Sequence, residues 1–409
     1  MSERIAVVDV LRAFALLGIV ITHAEMGFLA GPPPGQDFML LNAFDGAVHR
    51  FVAVFIESKF FSIFAFLFGL SFAIQLDRAR QKGAAFGGRF AWRLIVLLFI
   101  GVAHQMLFNG DILMLYALLG LLLIPLGRVN TGVLFTVGLL LVLNVPGIAQ
   151  GFLSINAAPP TPEQQQANAE MSALFMAKGQ ALYAAMSSGS FADIARVNFT
   201  DGLVMKSIYL AFSGRLWITF GCFLIGVCAW RAGLFEDSAG SRWFFGWLLV
   251  VGGAIAAVTT AITLTAEPST PAGGAWYGLA SNVQKVALAG GYVAGVTLLY
   301  WRHSTGLLAQ LAPLGKMGLT TYLLQSVFLA IVFYGVGFGM MGELGHAAAT
   351  GIGIVFFVAQ VFMARWWLAR MSMGPVEWLW RSATQFRWQP LSRAGVPAGT
   401  SPAPNVSAN

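Results

Sequence analysis

Ten runs of about twenty residues, apolar and nearly free of charge, recur along this chain. They lie at about 7–29, 51–76, 91–108, 112–127, 131–149, 207–230, 243–265, 281–300, 318–340 and 347–369. A helix advances about 1.5 Å per residue, so roughly twenty apolar residues cross the hydrocarbon core of a bilayer. Hydrocarbon offers no partners to backbone N–H and C=O groups, which makes such segments helical. The expectation is an all-α, polytopic transmembrane helical bundle of about ten spans. Only 10 % of the 409 residues are charged, against about 25 % in soluble domains. The fourth run is short for a span.

The charges outside these runs set an orientation. Arg78, Arg80, Lys82, Arg89 and Arg93 share one loop region, and Arg128, Arg231, Arg242, Arg302, Lys316, Arg370, Arg381, Arg387 and Arg393 fall in loops of the same phase. The alternate short loops hold Arg50 and little else. The positive-inside rule puts the basic set, and with it both termini, in the cytoplasm of a multi-pass plasma-membrane protein. The net charge of +7 is then an insertion pattern, and nucleic acid is not an expected partner. The first run carries Asp9, Arg12 and His23 and no evident small-residue cleavage site, which favours a retained helix over a signal peptide. The organisation expected is residues 1–149 with the first five helices, a long extracytoplasmic loop over 150–206, a C-terminal five-helix half over 207–391, and a disordered cytoplasmic tail over 392–409. Within the loop, "APPTPEQQQANAE" is expected to be a polar linker and "MSALFMAKGQALYAAM" a surface helix. Cys222 and Cys228 lack metal-ligand spacing and are expected to be small buried hydrophobes. No metal cluster is evident.

The stretch "RAFALLGIVITH", residues 12–23, brackets an apolar segment with two groups that are costly to bury. Eleven residues turn a helix by about three turns plus 20°, so Arg12 and His23 share a face about 16 Å apart along the axis. Asp9 is one turn before Arg12, close enough to pair with it. Arg12 alone is compatible with snorkelling to the headgroups. His23 is too deep for that, although a lone histidine also serves as a packing residue. Glu57, Lys59, His104, Arg215 and Lys285 fall at a similar depth in other helices, and Asn109 and Asp111 follow His104 in a very short outer turn. Ionisable groups inside a membrane usually face the bundle interior or a wet cavity, which points to a polar cavity opening outward. At the opposite side, Lys316 with Thr320, Thr321, Gln325 and Ser326 is read as a possible anion site, with Lys316 as a mere orientation charge as the plainer reading. Glu377 and Arg381 are spaced for an i,i+4 pair on an interfacial helix.

Five stretches carry a family resemblance: "DVLRAFALLGI", "FFSIFAFLFGLSFAIQ", "GDILMLYALLGLLL", "GKMGLTTYLLQS" and "GPVEWLWR". Together, and in this order, they resemble the domain of unknown function 418 (DUF418, YeiB-like) family over nearly the whole chain. That family looks like a branch of the transmembrane acyltransferase superfamily, which includes the acyltransferase 3 proteins and the lysosomal heparan-glucosaminide acetyltransferase. The spacing of Arg12 and His23 matches an arginine–histidine pair in the first helix of the acyltransferase 3 branch. Ala13 stands where family members often have glycine, and His23 where many have asparagine. The resemblance implies a cytoplasmic acyl-CoA donor and an extracytoplasmic acceptor such as a glycan hydroxyl. On this reading His23 is the base or acyl relay, His104, Asp111 and Glu57 tune it or bind the acceptor, and Arg12 and Lys316 hold the donor phosphates. A transporter or exporter of a small polar or anionic solute is the alternative. A non-catalytic membrane scaffold is the third.

Overall fold

The computed structural model describes residues 6–29 and 39–392, and these fold as a helical bundle. In chain order the helices are α1 (Ala6–Glu25), α2 (Ala43–Phe55), α3 (Lys59–Gln81), α4 (Gly87–Gln105), α5 (Leu113–Leu126), α6 (Thr131–Val142), α7 (Val145–Leu153), α8 (Pro162–Ser188), α9 (Phe191–Val197), α10 (Leu203–Phe212), α11 (Arg215–Arg231), α12 (Ala239–Thr265), α13 (Pro271–Arg302), α14 (Ala312–Lys316), α15 (Gly318–Phe333), α16 (His346–Arg370) and α17 (Pro375–Gln385). The tail expected to be disordered lies, from residue 393 on, outside the described residues.

Among the described residues, six segments are long and apolar enough to cross a membrane: α1, α2 with α3, α4, α12, α13 and α16. Three bent pairs raise the number to nine when each is taken as one span. The shorter apolar α5 sits at the fourth expected run. The chain is thus an all-α bundle with the apolar helices of a multi-pass membrane protein. The outer helices support this physically. α12 has a mean hydropathy of 2.0 over its most apolar window, yet only 17 % of that window is buried in the protein. Trp243, Trp247, Val250, Val258 and Leu264 stay exposed on it, a face that water would not tolerate and lipid would.

The runs are not the uninterrupted helices that hydropathy suggests. The run expected over 51–76 breaks at Ile56–Ser58, where Ser58 takes a left-handed φ of 67°. α6 and the segment Val145–Asn156 meet at 47°, the segment Phe191–Phe212 and α11 at 66°, and the segment Leu307–Lys316 and α15 at 85°. The long loop is also more helical than expected. α8 starts at Pro162, inside the presumed polar linker, because Thr161 and Gln164 form a reciprocal capping box. The box satisfies N-terminal donors that the linker reading left without partners.

α1 is the central post of the bundle. Val10, Leu11, Ala13, Ala15, Leu16 and Val20 on it are fully buried, and it packs on α3, α13, α14, α15 and α16. Small residues set the close crossings. A Cβ on Gly69 of α3 would lie 1.9 Å from the Phe223 carbonyl oxygen, and one on Gly226 of α11 would lie 2.1 Å from that of Phe66. The two backbones therefore touch through reciprocal glycines. Gly315 does the same for α14, with its Cβ position 1.8 Å from the Asp9 carbonyl oxygen. That contact seats the 315–318 turn on the Asp9–Arg12 turn of α1.

Candidate functional site

A cavity of about 370 Å³ opens beside the His23 end of α1. α1 contributes Ile19, Thr22, His23 and Met26, and the α2–α3 break contributes Ile56, Glu57 and Ser58. The α4–α5 turn supplies Phe108, Asn109, Gly110 and Asp111. Phe175 of α8 and Met205, Lys206, Tyr209 and Leu210 of α10 cover it, and Arg215 closes it at the start of α11. His23, Glu57 and Asp111, singled out from three distant parts of the sequence, share this one chamber. The break after α2 is what turns the Glu57 backbone to the chamber.

Asp111 has a second role. It accepts the amides of Leu113 at 3.1 Å and Met114 at 2.9 Å, capping α5. Its Oδ1 also lies 2.8 Å from His104 Nδ1, and both side chains are buried. A carboxylate accepts only, so Nδ1 donates to it, leaving Nε2 to other partners. That Nε2 is buried without a hydrogen-bond partner among the described residues, as is His23 Nδ1. The two imidazoles flank shared aromatic walls. The ring of Phe108 lies 4.9 Å from that of His23 and 6.2 Å from that of His104. The ring of Tyr322 lies 6.4 Å from the first and 5.1 Å from the second. His23 thus lines the chamber, and His104 stands behind the wall, joined to it through Asp111.

The cations around the chamber are held largely by the bundle beneath the cover. Lys206 Nζ donates to Gln105 Oε1 at 2.9 Å and lies 3.9 Å from Asp111 Oδ2. Gln105 in turn donates to Asn109 Oδ1 and to the Asn198 carbonyl. The Arg215 guanidinium stacks 3.3 Å over the Phe61 ring, a cation–π contact. Lys59, expected at the same depth, is buried and donates to the Ala53 carbonyl at 2.8 Å. Neither it nor Lys285 lines the chamber. Lys206 and Tyr322 escaped the sequence reading. Lys206 lies at the edge of what reads as a loop, and Tyr322 sits in a family stretch whose contacts only the fold reveals.

At the other end of α1, Arg12 donates to Asp9 Oδ1 at 2.5 Å and to Ser71 Oγ at 2.7 Å. The expected pairing with Asp9 is therefore present. Lys316 is exposed on the turn that packs against Asp9. The neighbouring polar residues do not form an anion site. Thr320 Oγ1 donates to Glu377 at 2.5 Å, Thr321 to the Leu314 carbonyl, and Gln325 to Gln360 at 3.0 Å, all of them buried. They bind helix to helix, because polar groups buried in a bundle need protein partners. Glu377 likewise departs from the spacing-based pairing with Arg381. Its Oε1 accepts the amides of Leu319 at 2.7 Å and Thr320 at 3.0 Å, capping α15.

Comparison with known proteins carries the resemblance further. Residues 229–387 match the family described as "Protein of unknown function (DUF418)", so the expected likeness to that family is shown. The chain is 29 % identical to the uncharacterized protein YxaH of Bacillus subtilis, over 96 % of this chain and 97 % of that relative. It is 27 % identical to the uncharacterized protein YeiB of Escherichia coli, over 93 % and 96 %. No solved structure matches the chain.

Proposed function

We propose that this chain, DUF418-like over residues 229–387, is a membrane acyltransferase. It moves an acetyl-like acyl group from cytoplasmic acyl-CoA to an extracytoplasmic acceptor such as a sugar hydroxyl. The observation that carries the reading is the chamber itself, where His23 faces the space and an Asp111–His104 pair stands against it. His23 Nδ1 has no hydrogen-bond partner among the described residues, which leaves it to accept a proton from a bound hydroxyl, while Asp111 holds His104 against the shared aromatic wall. The positive-inside pattern supports placing this chamber outside, and both termini inside, a bacterial-type plasma membrane.

The step balances with the groups present. The acceptor hydroxyl oxygen attacks the thioester carbonyl carbon, and its proton passes to His23. The C–S bond breaks, and His23 returns the proton to the departing CoA sulfur. Arg12 and the exposed Lys316 give the donor phosphates two cations at the opposite end of α1, with Arg12 shared with Asp9. The acyl end then reaches about 16 Å along α1 to His23. Glu57, Asn109 and Lys206 offer the acceptor hydrogen-bond partners.

The test is transfer from a labelled acyl-CoA in reconstituted vesicles. His23→Asn keeps hydrogen bonding but takes up no proton near neutral pH, and is expected to lower turnover about 10²–10⁴-fold with unchanged thermal stability. Near-normal transfer in that variant would remove His23 from the chemistry. Lys206 and Arg215 also suit an anionic solute, which favours a transporter as the second reading. Solute flux in vesicles that show no acyl transfer would establish it instead.

A further inference from the structure

Away from the chamber, three segments bring their ligating side chains together. Glu25 ends α1, His49 sits on α2, and His346 opens α16. His49 Nδ1 lies 2.7 Å from Glu25 Oε1, and His346 Nδ1 lies 2.8 Å from the same oxygen. The two imidazole rings are 4.7 Å apart. One ligand atom from each residue falls within 4.8 Å of the other two. None of the three lines the chamber.

Hydrogen bonding within the cluster leaves it rich in acceptors. His346 Nδ1 is also 3.0 Å from the Glu25 backbone carbonyl. Asp45, one turn before His49 on α2, uses Oδ1 for the Ala347 amide at 2.9 Å. Its Oδ2 is buried and has no hydrogen-bond partner among the described residues. A buried carboxylate oxygen left unpaired is costly.

We propose that Glu25, His49 and His346 hold a divalent metal ion of the zinc class. Two imidazoles with a carboxylate are a donor set of the d-block dications, whereas calcium and magnesium prefer oxygen ligands alone. Four-coordinate zinc at about 2.0–2.1 Å from its ligands spaces them about 3.3 Å apart. Binding at Nδ1 releases the ring protons now shared with Glu25, and the Nδ1–Oε1 pairs open by about half an ångström, a side-chain adjustment. His49 is half exposed, which leaves an entry path. The ion ties the end of α1 and the start of α16 to the middle of α2, so its role is to fix these three helices together, independently of the chemistry in the chamber.

The experiment uses the full chain in detergent, loaded with Zn²⁺, desalted and assayed for metal by mass spectrometry. The expected result is close to one ion per chain, falling at least tenfold in His49→Gln and in His346→Gln and unchanged in His303→Asn, an exposed histidine elsewhere. A chelator should lower the thermal midpoint of the unmodified chain, and Zn²⁺ should restore it. Co²⁺ loading should give the visible absorption of a four-coordinate, nitrogen-ligated site. No retained metal in the unmodified chain overturns the proposal. So does full retention in folded His49→Gln, which would mean adventitious binding. If the variants fail to fold, an unmodified chain whose thermal midpoint and Co²⁺ spectrum ignore metal overturns it equally.

Discussion

His23 and His104 differ in what holds them, and the difference is testable residue by residue. His104 has its proton fixed by Asp111, whereas His23 has an unpartnered Nδ1 and a face on the chamber. If His104 orients the site through this pair, His104→Gln and Asp111→Asn should each cost about 10²-fold in transfer rate. The double variant should cost little more than the worse single one, since members of one network are not additive. Asp111→Asn should also lower the thermal midpoint, because the carboxylate caps α5; initial rates and melting curves on the same preparations separate the two effects. At this scale the sequence was partly legible. Depth in an apolar run singled out His23, Glu57 and His104, and the short outer turn singled out Asp111. Depth misassigned Thr320, Thr321 and Gln325, because a polar residue that bonds a neighbouring helix and one that faces a ligand have the same local sequence.

Single elements are held by contacts that few residues control. Glu377 accepts three hydrogen bonds at the start of α15. Its replacement by alanine leaves two amides and a hydroxyl unpaired, and should cost about 1–3 kcal/mol, read as a lower midpoint in thermal unfolding. Glu377→Gln should recover part of the loss, since its amide oxygen still accepts. The α3–α11 crossing is less forgiving. With the Phe223 carbonyl 1.9 Å from the Cβ position of Gly69, Gly69→Ala must separate two backbones. Overpacking of this kind costs about 1–3 kcal/mol, and the expected outcome is reduced yield of monodisperse protein in size-exclusion chromatography. The helices themselves were visible from hydropathy, but their interruptions at Ser58, Gly214 and Met317 were not. A window of twenty residues averages over a three-residue break, and Ser58 carries no local mark of its left-handed φ.

For the molecule as a whole, sidedness is the prediction with the widest reach. Ala85 lies between α3 and α4 and Gln180 on α8, and both are exposed. Cys222 and Cys228 are buried, so they give little background labelling. Ala85→Cys and Gln180→Cys should react with an impermeant thiol reagent from opposite faces of the membrane. Reaction of both from one face would overturn the proposed sidedness, and with it the placing of donor and acceptor at opposite ends of α1. The cover of the chamber has a further consequence. Phe175, Met205, Lys206, Tyr209 and Leu210 all come from one contiguous stretch of chain, while Asp111, Glu57 and His23 belong to the bundle beneath. A new substrate preference can therefore be inherited as a single exchangeable cassette, without disturbing the inherited chemistry. Chimeras that trade residues 162–212 between relatives should swap which acceptor is modified and keep the donor, with mass spectrometry of the products as the record.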